Sequence, residues 1–434
     1  MLAWAWVALL AHAFDARCGR THRLGGCAGF SDCVLRVMNS SEAGFLRRRR
    51  AVLGLPAAQL PNVPRCTRQS CLDLARCIPP FRFFVYDRDS LAAAGLGDNV
   101  TTCMQTADAW EPSSARLITR DPARACLFWI KVSATRGCKS YNRVGQLLRR
   151  LPHWNGGLNH IVFESTDKGI PRTLRSKYLG KAGLAQGFST VDNFVHGLDV
   201  AIPLRSTPNA PKLNALLGGA APWRRKWLLT FKGTATNALR SRMALYHDEL
   251  SRVVIAVYPN PHKCTRKGRA MPIDGRQIQL VALDFGANEA CCAQIEHLYS
   301  SYNFYDLMNT TFGLVMPGRS PASYRLAEVL AAGCVPVFVG MEYGLLPFAE
   351  LIPWSEFSIS APGDVDVQAG LLPKLRALAN DRPRLLRMQA HALGVYTEHF
   401  LPVAYGGRTS DANVRRTTLE LLRRRFEYEQ PFRQ

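Results

Sequence analysis

Apolar runs alternate along the chain with segments whose apolar positions recur at helical spacing. The runs that predict strands lie at residues 81–87, 125–133, 160–165, 199–204, 226–233, 252–258 and 312–318. The segments that predict helices lie at 142–154, 238–250, 305–311, 371–400 and 413–428. Continuous apolar strands that alternate with helices are typical of parallel sheets covered on both faces. The pattern therefore predicts an α/β fold.

The alternation occurs twice, which predicts two α/β units in tandem, a number that suits a chain of 434 residues. The first unit is predicted over 66–220 and the second over 221–400, followed by a C-terminal helix or tail over 401–434. Residues 205–225 are rich in Pro, Gly and small residues, which predicts a linker. Ligands of such sheets bind outside the carboxyl ends of the strands, so two units facing each other would enclose a cleft.

The N-terminal residues suggest export. Residues 1–16 carry an apolar run that is shorter than the ~20 residues of a bilayer span and ends near the small residues Ala11 and Ala13. This favours a cleaved signal peptide, with a short signal anchor as the alternative. Residues 17–65 are predicted to be a stem, and the arginine run 47–50 in it is a solvated linker, a processing site or a membrane-surface patch.

Cysteine usage supports the same compartment. The chain has 13 cysteines and acceptor-type Asn-x-Ser/Thr triplets at Asn39, Asn99 and Asn309. The spacing of the cysteines within 66–77 is too wide for a typical zinc site and predicts disulfides instead. We therefore expect an oxidising compartment of the secretory pathway.

The formal charge of +22 suits anionic ligands such as nucleotides or acidic polysaccharides. Of the 55 basic residues only 11 are lysine, so an arginine-rich coding sequence explains the charge equally well. No motif for groove reading or RNA stacking accompanies the charge, and nucleic acid is not predicted as a partner.

Residues 318–340 predict a turn, a short helix and an apolar strand, with Pro321 in the first helical turn. One helical face carries Leu326, Val329, Leu330 and Gly333 and should pack on a sheet. The other side carries the residues with chemistry, Arg325 and Glu328, together with Ala332.

A helix start offers unpaired N–H groups that suit phosphate oxygens. Arg319 and Arg325 would add charge-assisted bonds to a pyrophosphate, and Glu328 would accept bonds from ribose hydroxyls. The alternative is that Arg325 and Glu328 form an ordinary i,i+3 surface pair.

The same segment resembles the exostosin family of glycosyltransferases. The resemblance lies in Gly318-Arg319, Ser323-Tyr324-Arg325, Glu328 and the Cys-x-Pro-Val at 334–337. Further motifs follow in the expected order across 66–400: CTRQSCLDLARC, FRFFVYD, ACLFWI, HWNGGLNHIVFE, DVAIPL, WLLTFKG, SRMALYH and PFAELIPW. The match is most similar to the glucuronosyl-transferring domain of heparan-polymerising exostosins.

The resemblance implies a GT-B architecture, with two Rossmann-like domains facing across a cleft. It implies that 66–220 binds the acceptor and 221–400 the nucleotide-sugar, and that a sugar, with glucuronic acid as the leading candidate, passes with inversion from a UDP-sugar to a polysaccharide or glycan. The implied location is the Golgi lumen or membrane, in a type II orientation if residues 1–16 are an anchor. The implied donor-binding residues are Lys232, Gly233, Arg242, Gly318, Arg319, Ser323, Arg325 and Glu328.

An inverting transfer needs a base, and the candidates at strand ends are His160, Glu164 and Asp199, with Asp87 as a further one. Each has a structural alternative, such as a buried histidine bonded to the backbone or an aspartate that caps a turn. Residues 131–140 lack the acidic residues that long exostosins carry there. A non-catalytic subunit that stabilises an active exostosin-like chain, in a hetero- or homodimer, is therefore the alternative function.

No obligatory metal or other cofactor is predicted, because basic side chains and helix ends would neutralise the pyrophosphate. The Asp-x-Asp triplets at 87–89 and 364–366 are interpreted as solvated loops. Cys264 is predicted to pair with Cys291 or Cys292, and Cys334 to be a buried free thiol.

Overall fold

The structure is a computed structural model of the full chain. It describes residues 68–427 except 78, 97–103, 106–111, 133–140, 167–168, 171–174, 188, 191–192, 205–206, 235, 259–270, 274–275, 279–296, 319–320 and 406–407. The predicted signal segment, the stem and the cysteines at 264, 291 and 292 lie outside the described residues.

Within the described residues, the first half of the chain forms a seven-stranded sheet in the order β3-β1-β4-β5-β6-β7, with β2 antiparallel to β4. Its strands are β1 Phe83–Val85, β2 Met104–Gln105, β3 Ile118–Thr119, β4 Leu127–Val132, β5 His160–Glu164, β6 Gly183–Gln186 and β7 Val200–Ala201. The central strands are parallel, with Ile130 opposite Val162 and Val162 opposite Leu184. Every residue of β5 and β6 is buried, which explains the apolar run Ile161–Phe163 at the centre of β5.

The second half contributes a five-stranded sheet and two short hairpins among the described residues. The strands are β8 Trp227–Thr234, β9 Val253–Tyr258, β10 Met271–Ile273, β11 Arg276–Ile278, β12 Thr310–Val315, β13 Val335–Val339, β14 Ile359–Ala361, β15 Val403–Tyr405 and β16 Arg408–Ser410. β8 pairs in parallel with β9 and with β12, and β13 pairs in parallel with β14. The hairpins β10–β11 and β15–β16 are antiparallel.

The α-helices are α1 Arg68–Cys71, α2 Arg88–Ala93, α3 Pro112–Ala115, α4 Tyr141–Leu148, α5 Asn209–Leu217, α6 Ala238–Met243, α7 Phe304–Leu307, α8 Arg325–Ala331, α9 Trp354–Phe357, α10 Leu372–Asn380, α11 Arg382–Val395 and α12 Ala412–Glu427. Short 3-10 turns lie at Leu74–Arg76, Pro122–Arg124, Asn155–Gly157, Pro222–Arg224, Ala244–Tyr246 and Tyr343–Leu345, and single π turns at Arg175–Leu179, Val367–Leu371 and Tyr396–Phe400. Residues 297–301 are also helical. Across the described ranges, none of these helices combines the length and the apolar character that a membrane crossing requires.

The described residues divide into two compact units. Unit I contains residues 223–314 and 363–380, and unit II contains residues 68–222, 315–362 and 381–427. The core of unit II includes Phe128, Ile130, Val162 and Leu184, all from the first sheet. Trp227, Val254, Ala256 and Leu307 cluster in unit I. The chain is therefore α/β with two Rossmann-like domains, as predicted, and this is consistent with GT-B.

The predicted linker at 205–225 was wrong in part, because it contains helix α5. Pro208 precedes the first helical residue, where its missing N–H costs no hydrogen bond. The small residues of this segment permit close packing: the Asn214 amide donates to the Ala331 carbonyl at 3.1 Å, and Gln389 Nε2 donates to Ala220 O at 2.8 Å. In this segment the small residues belong to a helix and its flanks that pack closely against α8 and α11, and not to an open linker.

Two of the cysteines near the start of the first unit, Cys71 and Cys77, are in disulfides, as predicted. Cys77 is bonded to Cys126, which lies 49 residues further along the chain at the start of β4, and Cys71 is also in a disulfide. Cys334 is buried and is not in a disulfide, which confirms the prediction of a buried thiol.

Candidate functional site

Helix α8 is short and buried on all sides. It starts at Arg325, so Pro321 lies four residues before the helix and not in its first turn as predicted. The helix ends in a Schellman motif, in which the Gly333 N–H donates to Leu330 O and the Cys334 N–H donates to Val329 O, each at 3.0 Å. Gly333 has φ +64°, a conformation that favours glycine.

The chemical side of α8 is as buried as its apolar side. Glu328 is 4% exposed. Arg325 Nη1 donates to Glu328 Oε2 at 2.5 Å, one helical turn apart. Glu328 Oε1 accepts bonds from Thr207 Oγ1 at 2.8 Å and from Asn209 Nδ2 at 3.3 Å. The pair is therefore more than an ordinary surface pair, since three donors hold a buried carboxylate in place.

The loop that precedes α8 brings two more predicted residues to the same region. The Gly318 N–H donates to Ala322 O at 3.2 Å, which closes the turn after β12. Ser323 is 9% exposed, and its hydroxyl has no hydrogen-bond partner among the described residues. Arg319 lies outside the described residues.

A cavity of about 190 Å³ opens beside this loop, entirely within unit II. Its walls come from the segments that follow β6, β7 and β13, and from the start of α8. Ser323 and Leu326 line it, together with Leu204 and Phe400. The carboxyl ends of parallel strands thus meet at this cavity, where α/β sheets bind their ligands.

Lys232 lies near the end of β8 in unit I. Its ammonium group donates to the Tyr302 carbonyl at 2.5 Å and lies 4.3 Å from the centre of the Tyr299 ring. Gly233 follows it in the strand, and a Cβ there would approach the Phe231 ring to 2.8 Å. Arg242 is half-buried in α6 of the same unit.

A half-buried histidine supports the residue that holds Lys232. The Ile255 N–H donates to His247 Nδ1 at 3.3 Å, and His247 Nε2 lies 3.2 Å from the Tyr302 hydroxyl. Burial lowers the pKa of His247 to about 4. The imidazole is therefore neutral at physiological pH, with the proton on Nε2 and directed to Tyr302.

His160 lies at the start of β5 in an aromatic environment. Its Nδ1 donates to Leu158 O at 2.9 Å, and its Nε2 lies 2.9 Å from the Tyr86 hydroxyl. The ring stacks on Phe128 with centroids 4.9 Å apart. Burial lowers its pKa to about 4. These contacts match the structural alternative, and a role for His160 as base stays a prediction.

Asp199 is held by an ion pair inside unit II. Both of its oxygens accept from the Arg175 guanidinium, and its Oδ1 and Oδ2 also accept the backbone N–H groups of Leu184 and Val195 at 2.8 Å. Four donors thus occupy this carboxylate. Glu164, at the carboxyl end of β5, accepts from the backbone N–H and the hydroxyl of Thr166 at 3.0 and 2.7 Å.

One aspartate of each Asp-x-Asp triplet caps a helical turn. Asp87 forms a capping box with Ser90 at the start of α2, and Asp366 accepts the N–H groups of Gln368 and Ala369. Among the described residues, no cluster of three His, Cys, Asp or Glu side chains has the arrangement of a metal site.

Sequence reasoning missed the partners that hold the charged residues. Thr207 and Asn209 fall in the segment interpreted as a linker, although Thr-Pro-Asn is a recognisable helix start. Tyr302 supports Lys232 through its backbone carbonyl, which leaves no mark on the sequence.

Comparison with known proteins identifies the family. The model of the Exostosin GT47 domain matches residues 77–370. The chain is 28% identical over 351 residues to Exostosin-1 of Drosophila melanogaster, covering 76% of this chain and 42% of that protein. It is 27% identical to Exostosin-1c of Danio rerio and 28% identical to Exostosin-1 of Cricetulus griseus, covering 76% and 83% of this chain and 43% and 45% of the relatives.

The chain thus spans less than half the length of these curated relatives. Its family match nevertheless includes the Arg325–Glu328 pair, the loop before it and the strands that carry Lys232 and Glu164. The chain belongs to the exostosin GT47 family of glycosyltransferases.

Proposed function

We propose that the protein transfers a sugar from a UDP-sugar to a polysaccharide or glycan acceptor, with inversion at the anomeric carbon. The observation that carries the proposal is the Arg325–Glu328 pair at the carboxyl-end edge of parallel strands, beside a cavity. Arg325 lies in the Ser-aromatic-Arg motif of the family match.

The charged pair suits the binding of a diphosphate. A guanidinium has five N–H donors in a fixed fork, so it can serve one carboxylate and a phosphate together. Glu328 has about four acceptor positions, of which three are used by Arg325, Thr207 and Asn209. One position remains for a ribose hydroxyl. We expect Arg325 to bind the pyrophosphate and Glu328 to fix Arg325 and contact the ribose.

Additional positive charge comes from three further basic residues. Lys232 and Arg242 are proposed to stabilise the leaving UDP, with Arg319 as a third cation and Gly233 and Gly318 allowing close approach of the backbone. Displacement of UDP forms negative charge on the diphosphate oxygen, and fixed cations lower the energy of that charge without reorganising water. No metal is part of the proposal.

For the base we favour Glu164. It ends β5, and the Gly187 N–H donates to its backbone carbonyl at 3.3 Å. Gly187 itself lines the cavity, so Glu164 is at the cavity end of β5, whereas His160 starts that strand and Asp199 precedes β7. The carboxylate would remove the proton of the acceptor hydroxyl as that oxygen attacks the anomeric carbon.

The remaining parts of the proposal follow from the family resemblance and from the cysteines. The Cys77–Cys126 disulfide supports the secretory pathway, with the Golgi lumen or membrane as the proposed location. Glucuronic acid is the proposed transferred sugar, and association with a second exostosin-like chain is the proposed assembly.

The direct test is release of UDP by the purified full chain. A panel of UDP-sugars is incubated with oligosaccharide acceptors, and free UDP is measured against a reaction without acceptor. Acceptor-dependent release with one donor supports the proposal, and a product with the β-anomeric configuration supports inversion. UDP binding without turnover for every donor and acceptor would instead indicate a non-catalytic subunit.

A further inference from the structure

Lys232 is held by two neutral groups of unit I. Its ammonium group donates to the Tyr302 carbonyl at 2.5 Å and lies 4.3 Å from the centre of the Tyr299 ring. Neither contact neutralises the charge, so both leave it able to attract an anion. The stem of a lysine is long and flexible, and the charge at its end has a defined position only where such contacts hold it. The position of the Tyr302 carbonyl therefore helps to decide where this charge lies.

Tyr302 is itself fixed through its side chain. Its hydroxyl lies 3.2 Å from His247 Nε2, and the two rings meet in a T-shaped arrangement with centroids 5.7 Å apart. The Trp227 ring meets the Tyr302 ring at 82°, with centroids 6.4 Å apart. A ring that is held at its hydroxyl and beside a second aromatic side chain restrains the backbone of the same residue. The carbonyl that accepts from Lys232 is restrained with it.

His247 is bound in turn to the strand beside Lys232. Its Nδ1 accepts the Ile255 N–H of β9 at 3.3 Å. β9 pairs with β8, and Lys232 lies opposite Ala256, the residue after Ile255. The contacts therefore form a closed ring that starts on β9, passes through His247 and Tyr302, and returns to β8. An imidazole with an acceptor at Nδ1 and a donor at Nε2 is neutral, and burial, which lowers the pKa of His247 to about 4, favours this form.

We infer that His247 is a positioning residue for the transfer reaction: through Tyr302 it fixes the ammonium group of Lys232 where negative charge forms on the leaving diphosphate. The inference rests on the proposed function, which assigns Lys232 to the leaving UDP. A fixed cation lowers the energy of that charge without reorganising as the charge forms. A displacement of about 1 Å can cost about 10² in rate, so loss of the contact between His247 and Tyr302 should slow the chemistry although neither residue is assigned a substrate contact.

Single variants of the purified full chain give the first test. Tyr302→Phe removes the hydroxyl but keeps the ring and the backbone carbonyl, and it should lower kcat about ten- to a hundredfold while KM for the acceptor stays unchanged. His247→Ala should have the same effect. His247→Gln, whose amide N–H can still donate to the hydroxyl, should recover most of that loss. No recovery by His247→Gln relative to His247→Ala, both folded, would contradict the role of the Nε2 donor.

Tyr343→Phe is the matched control. Tyr343 is also half-buried, its hydroxyl is 3.1 Å from Ser358 Oγ, and it does not line the cavity. Loss of this one hydrogen bond should leave kcat unchanged. If Tyr343→Phe lowers kcat as much as Tyr302→Phe does, the effect is a general consequence of losing a tyrosine hydroxyl and the inference is overturned.

A double-mutant cycle with Lys232 separates positioning from a merely structural role. Lys232→Ala should lower kcat at least as much as Tyr302→Phe, because it removes the charge itself. When Tyr302→Phe is added to Lys232→Ala, kcat should fall by less than about twofold further, because no ammonium group is left to position. Additive effects of the two substitutions, in folded proteins, overturn the inference.

Calorimetric titration of UDP into the four proteins of the cycle gives the same comparison without turnover. Non-additive losses of UDP affinity in a protein that never turns over retain the positioning role and remove the transfer reaction. Losses of kcat and UDP affinity in Lys232→Ala, with Tyr302→Phe equal to the wild type, retain the proposed function and remove the positioning role. If Lys232→Ala changes neither quantity, the role of Lys232 in the proposed function is wrong and the inference falls with it.

Discussion

Arg325 and Glu328 form an ion pair across one turn of a helix that is buried on all sides. Nη1 and Oε2 are 2.5 Å apart, and the exposed fractions of the two side chains are 14% and 5%. Because Thr207 and Asn209 donate to the other carboxylate oxygen, the pair joins α8 to the start of α5. A charged group this well fixed has a precise position before any ligand arrives, which is a condition for effective electrostatic binding.

Removing the carboxylate should affect stability as well as binding. Glu328→Ala leaves the Arg325 guanidinium and two neutral donors without their acceptor, and we expect a loss of about 1–3 kcal/mol in the free energy of unfolding. UDP affinity should fall in the folded fraction, since Arg325 loses its fixed orientation. Urea denaturation and calorimetric titration measure the two effects.

The matched control is Glu420→Ala on α12. Glu420 pairs with Arg423 and Arg424 at the surface, with 29% of its side chain exposed. Such pairs contribute about 0–1 kcal/mol. If Glu328→Ala costs no more than Glu420→Ala, the buried network contributes little and the pair is an ordinary surface pair.

The two candidate carboxylates in unit II should behave differently on substitution. Asp199 neutralises the buried Arg175, so Asp199→Ala should reduce stability by about 3–5 kcal/mol. Glu164→Gln keeps an acceptor for the Thr166 N–H and should leave the fold intact, while kcat falls by a factor of about 10² or more. Denaturation and steady-state kinetics of both variants check this. If Asp199→Ala has normal stability but no activity, Asp199 is the better candidate for the base and the assignment to Glu164 is wrong.

Stability should fall in weak acid because of two histidines with lowered pKa values, the buried His160 and the half-buried His247. Burial holds the pKa values of His160 and His247 at about 4, whereas the unfolded value is about 6.5. Between pH 6.5 and 4 the unfolded chain therefore binds more protons than the folded protein, so the free energy of unfolding falls as the pH decreases through this window. Below pH 4 both states are protonated, and these two histidines cause no further change. For His160 the effect is at most about 3 kcal/mol.

Chemical denaturation at several pH values measures this proton uptake. His160→Gln should fold less stably at pH 7 and show a weaker dependence on pH between 6.5 and 4. A variant whose pH dependence equals that of the wild type would show that His160 is not a neutral, buried group in the folded protein.

Gly333 should not tolerate a side chain. A Cβ at this position would lie 3.0 Å from the Gly218 carbonyl and 3.2 Å from Gln389 Nε2, and the positive φ adds about 1–2 kcal/mol of strain. We expect Gly333→Ala to lower the free energy of unfolding by at least that amount. Gly344→Ala is the control, because nothing lies within 4 Å of its Cβ position and its φ is not positive. Similar midpoints of thermal unfolding for the two variants would contradict this explanation of the helix end.

The fold could be predicted from the sequence because its strands are buried on both faces. Strands β4, β5, β8 and β9 are continuous apolar runs, and such runs identify parallel strands without tertiary information. β6 escaped prediction because its four residues, Gly183–Gln186, carry a glycine, an alanine and a glutamine. Helix α5 escaped because small residues and prolines also occur in linkers.

The sequence predicted which residue types form the site but not the contacts that hold them. The spacing of Arg325 and Glu328 placed them on one helical side, and the structure confirms that they are in contact. Spacing does not report burial, so the network with Thr207 and Asn209 could not be predicted from it. Nor does sequence distinguish a base from a structural group: His160 and Asp199 acquire their contacts from distant segments, including Tyr86 and Arg175.

The account depends most on the claim that Arg325 binds the diphosphate of a nucleotide-sugar. Calorimetric titration of UDP into the wild type, Arg325→Ala and Arg384→Ala tests it directly. Arg384→Ala is the control, because the Arg384 side chain is exposed and the residue takes part in capping α11 through its backbone N–H, which the substitution keeps. We predict that UDP binds the wild type and Arg384→Ala equally, and Arg325→Ala about ten- to a hundredfold more weakly, the range of a charge-assisted hydrogen bond. Equal affinity of a folded Arg325→Ala variant for UDP would contradict the claim.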